Sequence, residues 1–312
     1  MTGLDIGVEL CGVAMPNPTV LASGILGLTS EVMARVAKAG AGAVTTKSCS
    51  LRPRPGYPNP VVLDWQSGMI NAVGLSNPGI EVMVEEIQAA RELLAPLGAP
   101  IIASIFADTI YDFGTIAKFA NEGRPHLIEV NISCPNIDDR YQQVFAADPY
   151  VAGQVTRRVK QNTDIPVLVK LSPNVTSIAR VAEAVVEAGA DGITAINSLG
   201  PGLILDIETR RPVLSHEAGG VSGPAIRPIA VRCIRDIRRA VDVPILAVGG
   251  VTSGRDLVEM LLVGATAVGI GSGVYYRGID VFHQVCQELC DFMVRHGFNR
   301  LSDLRGTAIL SQ

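Results

Sequence analysis

Eight short runs rich in apolar and β-branched residues recur along the chain, interleaved with stretches of helical character. The runs occupy residues 19–24, 43–48, 100–106, 127–133, 166–172, 192–198, 244–250 and 267–273. They are continuous rather than alternating, the pattern of parallel strands buried on both faces. Residues 30–40, 78–94, 176–189, 222–240 and 253–264 space their apolar side chains as helices do, and several open on a Ser or Thr suited to capping. A short signature marks the return from helix to strand: "AGAGAV", "AGADGI" and "VGATAV" each place Gly just past a helix end. Eight such units predict one α/β domain over residues 1–312, a (β/α)8 TIM barrel. A doubly wound sheet is the alternative, but GxGxxG does not follow the first strand. The GxG of "GIGSG" (269–273) belongs to the last strand.

Insertions at about 49–77, 135–147 and 199–221 interrupt the repeat. Long segments after barrel strands lie at the C-terminal face, where barrel enzymes keep their sites, so these are expected to form the substrate site and a lid. With 312 residues, 48% of them hydrophobic and 18% charged, the chain can bury a large core. A net charge of −4 without a basic stripe argues against a nucleic-acid surface, and "RCIRDIRR" (232–239) reads as a solvated helix face. The N-terminus lacks the basic and apolar regions of a signal peptide, and no apolar run is long enough to span a membrane. The expectation is a soluble cytoplasmic protein. Six cysteines stand at 11, 49, 134, 233, 286 and 290 without a CxxC pair. Cys286 and Cys290 are four apart in a helical stretch with no His at ligand spacing, so buried free thiols and no metal site are expected.

In a barrel the strand C-termini carry the chemistry, and Ser23, Lys47, Ser48, Asn131, Ser133, Cys134, Lys170, Ser172, Asn197 and Ser198 fall there. Lys47 and Lys170 either begin solvated loops or converge on an anionic or carbonyl-rich ligand. The apolar runs that precede them, "AVTT" and "IPVLV", favour the second account. Gly249 and Gly250 end strand seven, and Gly271 and Ser272 end strand eight, the position where barrels commonly bind phosphate. These glycines also suit tight turns. Taken with the lysines they point to a phosphorylated cofactor such as flavin mononucleotide, FMN. Cys134 is a small core hydrophobe in one reading and a reactive thiol in the other. Its polar neighbours and the following Pro135 favour reactivity. His126, His216, His283 and His296 are scattered, so a proton-abstracting base is preferred to a Cys–His nucleophile.

The motifs "NISCPN" (131–136), "GMINAVGLSNPG" (68–79), "TTKS" (45–48), "DIETRRPVLS" (206–215), "GGVSGPAIRPIA" (219–230) and "AVGGVTSGRDLVEMLLVGATAVGIGS" (247–272) occur in one order nearly end to end. Together they resemble class 1 dihydroorotate dehydrogenase, closest to its 1B catalytic subunits. The resemblance implies an FMN-containing barrel that oxidises dihydroorotate to orotate in de novo pyrimidine synthesis. It implies that Cys134 is the base at C5 while hydride leaves C6 for flavin N5. It puts Lys47 against flavin and substrate carboxylate, and Lys170 near the flavin pyrimidine edge. Ser23, Ser48, Ser104, Asn131 and Ile196 also fall on the cofactor side, with Gly223, Gly249, Gly250, Gly271 and Ser272 at the ribityl-phosphate end. Asn71, Ala72, Val73, Gly74, Leu75, Asn131, Asn197 and Ser198 match the substrate side.

The resemblance further implies a homodimer and, for a 1B-like chain, an electron-transfer subunit carrying FAD and an iron–sulfur cluster. The class 2 N-terminal helical extension and Ser base are absent from this sequence. Three features depart from the family pattern: the Gly-free stretch "IDDRYQQVFAADP" (137–149), Ser104 in place of Asn, and "NSLGPG" (197–202) in place of an Asn-Thr start. The rival activities are oxidation of another dihydropyrimidine (dihydrouracil or dihydrothymine) and a non-redox phosphate-binding barrel.

Overall fold

The computed structural model describes residues 4–132 and 145–309. All eight runs form barrel strands: β1 (Thr19–Leu21), β2 (Ala43–Thr45), β3 (Ile101–Ile105), β4 (Leu127–Asn131), β5 (Val167–Leu171), β6 (Gly192–Ala195), β7 (Ile245–Val248) and β8 (Ala267–Ile270). Each pairs in parallel with its sequence neighbours, and β8 returns to β1, so the sheet closes as a (β/α)8 barrel.

The surrounding helices are α1 (Ser30–Lys38), α2 (Ile80–Leu94), α3 (Ile110–Ala120), α4 (Pro149–Lys160), α5 (Ile178–Glu187), α6 (Arg227–Ala240), α7 (Gly254–Leu262) and α8 (Val281–His296). Side chains of Thr29, Thr109, Asp148, Ser177 and Ser253 accept from free amides in the first turns of α1, α3, α4, α5 and α7. Gly40, Gly189 and Gly264 take positive φ of 103°, 102° and 101° at the repeated helix-to-strand signature. The helix expected over 222–240 starts later, at Arg227. Residues Ala218–Ser222 are instead a strand, and Gly223 at φ 84° separates it from a 3-10 turn at Pro224–Ile226.

The barrel interior is graded along its axis. At the N-terminal end Val20, Ala43, Ile102, Leu127, Leu168, Leu246 and Ala267 form an apolar layer. An antiparallel hairpin, Val8–Leu10 with Val13–Met15, closes this end by packing Leu10 and Met15 onto that layer. One inward position further along, the side chains include Thr45, Ser104, Glu129, Lys170 and Thr194, all of them buried.

The insertions meet in a second sheet. Leu199–Leu203, Ala218–Ser222, Met69–Asn71 and Val62–Asp64 lie side by side in that order, all antiparallel. The base of the first insertion is fixed by buried Asn77. Its side chain accepts from Ser50 N (3.1 Å) and Gly79 N (2.9 Å) and donates to Leu75 O (2.8 Å). Of the second predicted insertion, about 135–147, residues 135–144 lie outside the described residues. Among the described cysteines Cys49 and Cys233 are buried as expected. Cys11, Cys286 and Cys290 are only partly so, Cys11 because it lies in the hairpin turn, and Cys286 and Cys290 because the buried face of α8 is made by Phe282, Val285, Leu289 and Met293 instead. All five are free thiols.

Candidate active site

A cavity of roughly 440 Å³ opens at the C-terminal end of the barrel, between the strand ends and the insertion sheet. The volume falls within the about 300–1,000 Å³ typical of small-molecule sites. From the predicted cofactor set, Ser23, Lys47, Ser48, Asn131, Lys170, Ile196, Gly223, Gly249, Gly250, Gly271 and Ser272 line it. From the predicted substrate set, Asn71, Val73, Gly74, Leu75, Asn197 and Ser198 do so. Ser104 and Ala72 do not reach the cavity and are fully buried behind it. Cys134 lies outside the described residues, three positions after Asn131 in the sequence.

Each group is placed by its element. Lys47 follows β2, and its backbone N–H donates to Gly27 O at 2.8 Å. Asn71 ends an insertion strand and donates from Nδ2 to Gly220 O at 3.3 Å. Asn197 accepts at Oδ1 from its neighbour's amide, Ser198 N, at 2.8 Å. The Ser198 hydroxyl packs where a Cβ on Gly220 would stand, so Gly220 has to be glycine for this approach. The loop after β7 is held by Asp256, which accepts from Thr252 N (2.9 Å) and Ser253 N (2.9 Å) and pairs with Arg227.

Beneath the cavity four hydroxyl and carboxyl groups form a directed chain. Ser104 Oγ donates to Glu129 Oε1 at 3.0 Å, since an ionised carboxylate only accepts. With its single proton so used, Ser104 accepts from Ser48 Oγ at 2.8 Å, and Ser48 in turn accepts from Ser23 Oγ at 3.0 Å. Ser48 also accepts from Asn131 Nδ2 at 3.3 Å. Ser23, at the cavity wall, therefore has its proton turned inward and presents lone pairs to a ligand.

The residues fit an FMN. Among the described residues, the charged side chains on the cavity wall are Lys47 and Lys170, ammonium groups suited to phosphate and to the negative charge of a reduced ring. At the β7–β8 rim a Cβ on Gly271 would meet only Ala22 Cβ, at 3.7 Å, and would otherwise occupy cavity space. A Cβ on Gly250 would stand 2.6 Å from Gly223 O, so these two backbones touch. The rim is thus a bare-backbone cradle of the kind that admits phosphate oxygens.

Sequence reasoning missed Met69, Ser222, Val248, Gly269 and Tyr275 on the cavity wall. Met69 and Ser222 meet only because their strands pair, a contact that sequence spacing does not encode. Glu129 was also missed, although a carboxylate inside the apolar run "HLIEV" was a visible signal.

A closed barrel with paired cations and a glycine rim at its C-terminal mouth defines a class: barrels that hold a phosphorylated, ring-bearing cofactor over a small substrate. A family model for dihydroorotate dehydrogenase matches residues 6–293, and the chain belongs to that family of oxidoreductases. It is 44% identical over 300 residues to a protein of Methanothermobacter thermautotrophicus named dihydroorotate dehydrogenase B (NAD(+)), catalytic subunit, covering 96% of this chain and 97% of that one. Proteins of the same name from Methanocaldococcus jannaschii (44% over 285 residues, 91% and 92% covered) and Pyrococcus horikoshii (40% over 302 residues, 97% of each) are similar to it end to end. Among the described residues, no helix is long and apolar enough to cross a membrane, and no group of three or more His, Cys, Asp or Glu could hold a metal.

Proposed function

We propose that the chain is the catalytic subunit of a 1B-type dihydroorotate dehydrogenase, an FMN enzyme that oxidises dihydroorotate to orotate in de novo pyrimidine synthesis. The carrying observation is that two lysines, three asparagines and Ser198 surround one cavity at the strand ends, in a chain whose relatives bear that name over nearly their whole length.

Bound FMN supplies the acceptor for the hydride that leaves C6 of the substrate. Ser23, Lys47, Ser48, Asn131, Lys170 and Ile196 are suited to hold its ring, and Gly223, Gly249, Gly250, Gly271 and Ser272 its phosphate end. Ser104 acts from behind through Ser48. Lys47 offers a counter-charge to the substrate carboxylate, which favours dihydroorotate over dihydrouracil. Asn71, Asn131, Asn197 and Ser198 supply amide and hydroxyl groups that fix a flat, carbonyl-rich ring, with Ala72, Val73, Gly74 and Leu75 shaping its outer wall. Cys134 removes the C5 proton as a thiolate, which requires its proton to have left beforehand.

The relatives' name includes the words catalytic subunit. We read this chain accordingly as one part of an assembly: a homodimer joined by a subunit bearing FAD and an iron–sulfur cluster, in the cytoplasm. Such a cluster needs ligands that this chain, without a CxxC pair, does not offer. The test is anaerobic mixing of the purified yellow protein with dihydroorotate or dihydrouracil. Rapid bleaching by dihydroorotate alone is expected. Bleaching by dihydrouracil alone would transfer the assignment to another dihydropyrimidine, and a colourless protein that takes up no FMN would end it.

A further inference from the structure

Among the described residues, the barrel interior holds a carboxylate that the reaction described above does not use. Glu129 is 1% exposed, on β4, directly under the cavity. Its Oε1 lies 3.8 Å from Lys170 Nζ, and the two side chains are 1% and 6% exposed. The same oxygen accepts from Ser104. Among the described residues, Lys170 and Lys47 are the charged side chains of the cavity wall, and both are basic.

A lysine this deeply buried loses its proton readily unless a counter-charge stands beside it. We infer that Glu129 is a positioning residue for the flavin: it holds Lys170 as a cation at the cavity wall and, through Ser104 and Ser48, fixes which way the hydroxyls of the wall point. The inference rests on the FMN reading. Its physical content is that Glu129 acts on the ring only through other side chains. A carboxylate that close to a reducible ring would by itself disfavour the added negative charge. One that keeps an ammonium protonated does the opposite.

Three holoenzymes decide the matter: Glu129→Gln, Lys170→Met and the double variant. Flavin midpoint potential and melting temperature are measured on each against the parent. Glu129→Gln is expected to shift the potential to a more negative value, in the same direction as Lys170→Met. The expected size is about tenfold in the reduction equilibrium, or ~30 mV for a two-electron couple. The double variant is expected to fall short of the sum of the two single shifts, because without Lys170 the carboxylate keeps only its route through Ser104 and Ser48. In stability each single variant leaves a buried ionisable group without its counter-charge, so the double variant should melt above either.

A positive shift in Glu129→Gln, an unchanged potential or additive effects in the double variant would each overturn the inference. If Glu129→Gln alone fails to fold, the double variant still decides: recovery supports the pairing, and failure to fold refutes it. A wild-type protein that takes up no FMN would instead end the flavin reading, leaving the melting cycle to judge the ion pair.

Discussion

The ring of Tyr57 lies flat against that of His216, with centroids 3.9 Å apart and planes 9° from parallel. The stack ties the first insertion to the third. It also sets the cavity wall, since Tyr57 N donates to Val73 O at 3.1 Å, and a Cβ on Gly74 would stand 2.7 Å from Tyr57 Cδ2. Tyr57→Ala should loosen the Val73–Leu75 wall while leaving FMN content at the parent value. The expected rise in KM for dihydroorotate is about fivefold, equivalent to the ~1 kcal/mol of an aromatic pair. Steady-state kinetics beside a flavin absorbance reading check both halves.

Cys134→Ala should keep its yellow colour and lose roughly 10²–10⁴-fold in turnover, the usual contribution of a positioned base. Cys134→Ser should regain activity only at alkaline pH, because a hydroxyl is the weaker acid. Stopped-flow reduction of the flavin by dihydroorotate isolates this step. Turnover near the parent rate in Cys134→Ala would remove the base assignment.

Two glycines of the rim should separate fold from ligand. Gly250 sits at φ 72° with the Gly223 carbonyl against it, so Gly250→Ala should cost about 1–3 kcal/mol of stability and lower the melting point even without FMN. Gly271 has no such crowding, so Gly271→Leu should melt like the FMN-free parent yet fail to bind FMN. Calorimetry and flavin titration read the contrast.

Burial pushes the thiols of Cys11 and Cys49 up to about 12, and those of Cys233 and Cys286 up to about 11. Between the ordinary value of 9.0 and these raised values the folded chain binds more protons than the unfolded one. Their contribution to stability is therefore complete below pH 9.0 and is lost as pH climbs through the folded values. Denaturant midpoints should fall above that pH, and Cys49→Ala should flatten the fall.

The eight strands were legible because each is a local apolar run with β-branched side chains, and the return glycines marked their spacing. Helix α3 was not, since Gly114 in its middle weakens the helical pattern. The structure gives the reason: a Cβ there would stand 2.6 Å from Arg158 Nε and 2.8 Å from Asn162 Nδ2. The α6 boundary failed for a different cause, because Ser222 is claimed by pairing with Met69, about 150 residues away. The same non-local pairing hid Met69 and Ser222 from the list of cavity residues. Lys47, Lys170 and the asparagines were readable because polar groups at the ends of apolar runs have few structural uses there.

The hairpin that packs Leu10 and Met15 into the base of the barrel stoppers the end opposite the cavity. A ligand seated among the strand ends is therefore reached from the side of the insertions and never along the barrel axis from below.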